Sequence, residues 1–235
     1  MRNRVLLAPP PNLKLPKKSQ VKWFQARLLR WGALHGRQFP WRKRSANNYT
    51  RIVSEVLLQR TRADVVARFL PSFLADYPSW TVLAKARRTE LRKYLQPIGL
   101  WRQRSASLKN LAVEVARRHG SFPRNREEIE ALPNVGQYIA NAILLFCHNE
   151  AQPLLDVNMA RVVERFFGPR RLVDIRDDPY LQILCKAIVR SPDPVAINWA
   201  ILDHATLVCK RSKPICCECP LVSRCKFAKN SVYSR

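Results

Sequence analysis

Apolar residues recur at intervals of three and four positions along most of the chain, which predicts amphipathic helices joined by short turns. Over 21–34, this spacing places Val21, Phe24, Leu28, Trp31 and Leu34 on one face. Breaks at Gly, Pro and polar clusters delimit further helices, predicted over 49–59, 63–74, 89–95, 102–119, 126–132, 137–148, 159–167, 180–189 and 194–209. Strand-like runs are few, so we expect an all-α fold.

The chain opens on a basic, proline-rich segment. Residues 1–20 contain four prolines and five Lys or Arg, which predicts a flexible basic arm. No acidic residue precedes Glu55, whereas 13 Lys or Arg do. The arm and the cysteine-rich end both lie outside the central helices, so we expect the two ends to contribute to one lobe.

Charge indicates the class of partner. The chain has 42 Lys and Arg against 17 Asp and Glu, a formal net charge of +25. Such an excess favours a polyanion, because neutralising phosphates releases counterions, although a ribosome-associated protein or a generally basic proteome gives the same bias. No apolar run reaches transmembrane length, so we expect no membrane partner and a cytoplasmic, nucleoid-associated protein. The sequence leaves organellar targeting open.

Four of the seven cysteines form a regular cluster, Cys209-x6-Cys216-x2-Cys219-x5-Cys225. We call residues 209–225 the cysteine loop. Four thiolates so close in sequence indicate a metal site, and their type permits tetrahedral zinc or an iron–sulfur cluster. Cys147, Cys185 and Cys217 are left over, and we interpret Cys217 as a bystander.

A second motif is the turn Leu132-Pro133-Asn134-Val135-Gly136, followed by Gln137 at the start of a predicted helix. A tight turn at a helix N-terminus presents backbone N–H groups that bind phosphate without reading base sequence. Taken alone, such a turn is more often an ordinary helix connection.

Two acids stand in apolar surroundings. Glu55 lies within Ile52–Leu58, and Asp156 follows Leu154-Leu155 directly before a predicted helix. An acid acting on a sugar or base needs such a setting, because burial raises its pKa and strengthens its field. The structural alternatives are an N-cap for Asp156 and a buried, paired acid for Glu55.

Together, the turn 132–136, Asp156 and the cysteine loop resemble the helix-hairpin-helix DNA glycosylases of the endonuclease III type. The resemblance runs from about Trp23 to Cys225. It implies a two-lobed helical fold, with a six-helix barrel over 45–150 and a second lobe from 21–44 and 151–235. In that family four cysteines hold a 4Fe–4S cluster, which implies that cluster here, held by Cys209, Cys216, Cys219 and Cys225. It also implies a monomer acting on double-stranded DNA with a mismatched or damaged base.

Tyr138 narrows the activity that the resemblance implies. Family members that also cut the strand have a lysine there, which forms a Schiff base with the sugar. Tyrosine has no amine, so we expect a monofunctional glycosylase with little or no lyase activity. The segments 39–42 and 54–61 look like the branch of thymine and adenine mismatch glycosylases. One departure is Asn134 where the family usually has Gly, but Asn tolerates left-handed backbone angles.

The resemblance also implies roles for individual residues. Asp156 would stabilise the sugar cation, Glu55 would contact the flipped base, and Tyr138 would line the sugar pocket. Gln59 or Arg60 would fill the space in the duplex that the flipped nucleotide leaves.

The substrate reading that we favour is thymine or uracil opposite guanine. The alternatives are adenine opposite guanine or 8-oxoguanine and, in another class, a non-catalytic lesion-sensing protein.

Overall fold

The computed structural model describes residues 14–230. This part of the chain is helical and contains no strand. The α-helices are α1 (Lys18–His35), α2 (Asn48–Leu58), α3 (Ala63–Asp76), α4 (Trp80–Lys85), α5 (Arg88–Leu95), α6 (Trp101–Arg117), α7 (Arg126–Glu130), α8 (Gln137–His148), α9 (Val157–Phe167), α10 (Pro179–Val189), α11 (Pro194–Leu207) and α12 (Lys226–Lys229). Short 3₁₀ helices lie at Pro40–Arg42, Gln96–Ile98, Cys216–Glu218 and Val222–Arg224.

Most helices lie where the hydrophobic periodicity predicts them, with ends that differ by at most three residues. The helix predicted to reach Cys209 ends at Leu207, so Cys209 belongs to the loop that follows. Helix α4 was not predicted because six residues are too short to show a period. It is instead marked by Ser79, whose hydroxyl accepts a hydrogen bond from Val82 N at 3.3 Å and caps the helix.

The chain divides into two compact units. One combines the residues up to Arg37 with those from Ala151 onwards, and the other is Gln38–Glu150. We call them the split unit and the central unit. The predicted boundary after residue 44 is too late, because Trp41 is buried and its 3₁₀ helix contacts α2 and α3. The predicted arm is also too long, since residues 18–20 already belong to α1, and positions 1–13 lie outside the described residues.

The central unit is built around α8. This helix is buried continuously from Ile139 to Phe146 and packs on α2 and α7. Helices α4 and α5 pack on α6, while α3 contacts α2. Because α8 is buried along this stretch, its partly exposed side chains lie at the two ends of the helix.

The split unit joins α1 to helices more than a hundred residues later. Phe24 packs against Phe166 and Phe167, with ring centroids 5.0 and 5.1 Å apart. Helix α1 also approaches α11 so closely that a Cβ on Gly32 would lie 2.7 Å from the Cβ of Ala200. A glycine is therefore required at this crossing.

Asp203 of α11 fixes the end of α1. Its side chain is fully buried and accepts hydrogen bonds from the backbone N–H and the Nε of Arg37, at 2.9 and 2.8 Å.

Within residues 14–230, no helix is both long enough and apolar enough to span a bilayer.

Candidate active site

Glu55 is held at the middle of α2 in the central unit. Asn47 caps this helix by accepting a hydrogen bond from Thr50 N at 2.9 Å. Glu55 lies two turns further on and is 3% exposed. The hydroxyl of Tyr138, in the first turn of α8, donates to Oε2 of Glu55 at 2.8 Å. Two side chains 83 positions apart in sequence are thus brought together at one place.

The hairpin 132–136 connects α7 to α8. Leu132 and Val135 are 5% and 8% exposed, so their side chains anchor the turn rather than face solvent. Asn134 adopts a left-handed φ of 61° and is exposed, as is Gly136, the N-cap of α8. The side chains available for a ligand are therefore fewer than the sequence indicates. Any contact by Leu132 or Val135 has to be made through the backbone.

Arg126 fixes the angle of this hairpin. One amino group donates to Oε1 of Glu130 at 2.8 Å and the other to Oδ1 of Asn141 at 2.7 Å. Asn141 is 4% exposed in α8, so the guanidinium joins the helices on either side of the turn. Because the N-terminus of a helix carries a partial positive charge, the hairpin presents a surface suited to an anion.

Gln59 and Arg60 follow α2 one turn after Glu55, and both are exposed. Arg60 has a left-handed φ of 59°, which is unusual for a residue with a Cβ.

Asp156 lies in the split unit and is the N-cap of α9. Its Oδ1 accepts hydrogen bonds from Asn158 N at 2.9 Å and Met159 N at 2.8 Å, and its Oδ2 accepts from Asn158 Nδ2 at 2.7 Å. Burial raises the pKa of the Asp156 carboxyl above its ordinary value, while these hydrogen bonds partly offset the rise. Asp156 thus has the geometry of an N-cap, as the structural alternative predicts. Its raised pKa shows that the ionised carboxylate is energetically costly in the folded protein.

A chain of hydrogen bonds leads from Asp156 to the cysteine loop. Arg161 donates through Nη1 to Oδ1 of Asn158 at 3.1 Å and through Nε to the carbonyl of Cys209 at 2.9 Å. Sequence reasoning missed Asn158 and Arg161. The usable signal was their position on α9, since residues three apart on a helix share a face.

The four cysteines of the predicted metal site line one pocket, together with Arg165 and Phe227. Arg165 donates to the sulfur of Cys209 at 3.4 Å, and Nε2 of His204 lies 3.3 Å from the sulfur of Cys219. In the described part of the chain, no three Cys, His, Asp or Glu side chains are grouped as a single metal ion requires. The donor set that the pocket offers is four cysteine sulfurs, which suits zinc or an iron–sulfur cluster.

The remaining cysteines lie elsewhere. Cys217 is exposed and does not line the pocket, while Cys185 is buried in the core of the split unit. Burial raises the pKa of the Cys147 thiol to about 12, so it stays protonated at neutral pH.

Comparison with known proteins decides the family. Residues 53–174 match the HhH-GPD superfamily of base excision DNA repair proteins. The chain belongs to this family. A thymine-DNA glycosylase of Aeropyrum pernix is 35% identical over 91% of the chain and 97% of its own length. A thymine/uracil-DNA glycosylase of Pyrobaculum aerophilum is 33% identical over 91% and 95%.

The fold has solved counterparts. The structure of a thermostable thymine-DNA glycosylase superimposes with a TM-score of 0.83 at 28% identity, covering 91% of this chain and 98% of that one. Adenine DNA glycosylases also match at lower identity, for example 28% for that of Buchnera aphidicola subsp. Baizongia pistaciae. The predictions of an all-α glycosylase fold and of a base excision repair glycosylase are confirmed.

Proposed function

We propose that this protein is a monofunctional DNA glycosylase that removes thymine or uracil paired with guanine. The observation that carries the proposal is the hydrogen bond from Tyr138 to Glu55. It places a phenol, rather than an amine, beside a buried acid at the start of α8. The similarity to thymine and thymine/uracil glycosylases along nearly the whole chain supports the same substrate class.

The proposed reaction begins when the target nucleotide leaves the stack, at a cost of a few kcal/mol that a mismatch lowers. The backbone around Asn134 and Gly136 grips a phosphate near the lesion, and Gln59 or Arg60 fills the vacated space. Glu55 contacts the flipped base, with its orientation fixed by Tyr138. Asp156, ionised, stabilises the positive charge that develops on the sugar as the glycosidic bond breaks, and orients the attacking water.

The substrate is tested by single-turnover assays on duplexes that contain G·T, G·U, G·A or 8-oxoguanine·A pairs, with alkali to cut at sites of base loss. We expect cleavage at G·T and G·U alone. Release of adenine would replace the proposal with an adenine glycosylase. Tight binding to mismatched duplexes without any base release would favour the lesion-sensing alternative.

The absence of lyase chemistry is tested at Tyr138. The wild-type protein should give no strand break without alkali and no adduct after borohydride reduction. Tyr138→Lys places an amine at the same position, and we expect it to give a borohydride-trapped covalent adduct with substrate DNA. Absence of the adduct in a folded Tyr138→Lys protein would contradict the placement of Tyr138 beside the sugar.

We also propose that the cysteine loop holds a 4Fe–4S cluster. Four cysteine sulfurs line one pocket, and thiolates are the ligands that hold iron–sulfur clusters in proteins. The cluster would be structural, holding the loop folded and, through Arg161, the start of α9. Purified protein should be brown and contain about four iron atoms per chain. A colourless protein with one bound zinc would overturn this assignment.

A further inference from the structure

A buried arginine in the central unit has no part in the site described above. Arg104, in the second turn of α6, is 4% exposed. Arginine is rarely buried unless its guanidinium is paired or fully hydrogen-bonded. The hydrogen-bond partners of Arg104 therefore indicate its role.

The guanidinium of Arg104 bonds to two separate loops. Nη1 donates to the carbonyl of Ile98 at 2.6 Å and to that of Gly99. Nη2 donates to the carbonyl of Gln59 at 2.6 Å and to the hydroxyl of Thr61. One side chain thus joins loop 59–61, which follows α2, to loop 98–100, which precedes α6.

Each of these loops carries a strained residue at its tip. Arg60 has a φ of 59° and Leu100 a φ of 49°, although both have a Cβ. Such left-handed conformations persist where the surroundings impose them. The hydrogen bonds of Arg104 end on both sides of Arg60 and directly before Leu100. These hydrogen bonds are therefore placed to impose the left-handed conformations of both residues.

The two loops form one surface. Arg60, Leu100, Trp101, Arg102 and Gln103 line an open concavity of about 380 Å³, which we call the two-loop surface. Arg102 stacks on Trp101, with its guanidinium carbon 4.3 Å from the ring centroid, and Leu100 is 41% exposed. Cations beside exposed apolar groups suit a nucleic acid duplex, which offers phosphates and stacked bases.

We propose that Arg104 is a positioning residue that locks loop 59–61 to loop 98–100, so that the two-loop surface is already ordered when it meets the duplex from which the target nucleotide leaves. This inference rests on the proposed function. When the surface is already ordered, binding does not have to supply free energy for ordering the two loops. More of the binding free energy is then available for opening the base pair. The benefit should therefore grow with the stability of the neighbouring base pairs.

The test compares Arg104→Gln with Arg117→Gln, a matched control on the exposed face of the same helix. Single-turnover excision of uracil opposite guanine is measured in two duplexes, in which the mismatch is flanked by A·T or by G·C pairs. We expect Arg104→Gln to slow excision roughly ten-fold with G·C flanks and clearly less with A·T flanks. Arg117→Gln should match the wild type in both. An equal loss in both duplexes, or no loss, would overturn the proposal.

Two further measurements keep the inference testable. If Arg104→Gln does not fold, Thr61→Val removes one acceptor and should give the same dependence on the flanking pairs at about three-fold amplitude; no dependence would refute the lock.

If the wild-type protein excises uracil from neither duplex, the proposed function fails. The lock is then judged by hydrogen exchange of the amides of 59–61 and 98–100. Exchange should be faster in Arg104→Gln than in Arg117→Gln, and equal exchange would refute it.

Discussion

The two acids proposed to act on DNA are held in opposite ways. Glu55 lies mid-helix in the central unit, where burial and a partner 83 positions away hold it. Asp156 lies at a helix start in the split unit, and its oxygens accept hydrogen bonds from Asn158 and Met159, both in the first turn of that helix. One acid therefore depends on the packing of α2 against α8, and the other on the local geometry of α9.

This difference separates the two proposed roles. The N–H groups of the helix start offset part of the cost of burying the charge of Asp156, and a buried carboxylate suits the stabilisation of a developing cation. A buried carboxyl that accepts a hydrogen bond from the Tyr138 phenol has a fixed direction, which suits contact with a flipped base. Each prediction below weakens one acid and leaves the other intact.

The largest expected effect is that of Asp156→Asn. The amide keeps the shape and the capping ability but loses the charge, so we expect base release to fall by about a thousand-fold or more in single-turnover assays. Binding to mismatched duplex, measured by fluorescence anisotropy, should be retained. Asp193→Asn is the matched control, because Asp193 caps α11 by accepting from Ala196 N at 2.8 Å. Turnover by Asp156→Asn near the wild-type rate would remove Asp156 from the chemistry.

Glu55→Gln should have the next largest effect. The side chain keeps its length and can still accept from Tyr138, but it can no longer carry a charge or deliver a proton. We expect excision to slow by about a hundred-fold. Glu90→Gln, on the exposed side of the same unit, serves as the control for the same chemical change. If the two variants behave alike, Glu55 is a structural acid.

Tyr138→Phe should slow excision by only about ten-fold, since it removes one hydrogen bond and leaves Glu55 in place. The informative measurement is the double variant with Glu55→Gln. Because the hydroxyl acts through Glu55, the two losses should be less than multiplicative. Independent losses would mean that Tyr138 contacts DNA by itself. Tyr94→Phe, which removes a phenol elsewhere in the unit, is the control.

The smallest effect concerns stability. Burial raises the pKa of Asp156, so its ionised form is less favourable in the folded protein than in the unfolded chain. This cost is fully present above the folded-state pKa and vanishes as the pH falls below the unfolded-state value. At pH 7, Asp156→Asn should therefore be as stable as the wild type or more stable, by up to about 1 kcal/mol in urea unfolding. The difference should disappear in acid, and a variant less stable at both pH values would contradict this account.

Features that depend on residues close together in sequence could be predicted, whereas contacts between residues far apart in sequence could not. The spacing of apolar residues predicted most of the helices, and Asp156 could be interpreted as an N-cap because capping involves only the next few residues. The contact between Tyr138 and Glu55 could not be predicted from the sequence, because no local pattern encodes how α8 packs against α2. Arg104 was missed for a related reason, because a basic residue on an amphipathic helix gives no sign of burial until both loops are placed.

The assembly of the split unit has a consequence for biosynthesis. Gln25 of α1 donates to the carbonyl of Ile188 at 2.7 Å, across a separation of 163 residues. The central unit is continuous in sequence and can fold as soon as its own residues leave the ribosome. Helix α1 has to wait, with its apolar face uncovered, until α10 and α11 have been synthesised. The cysteine loop follows α11 in the chain, so during translation the pocket that its four cysteines line is completed last.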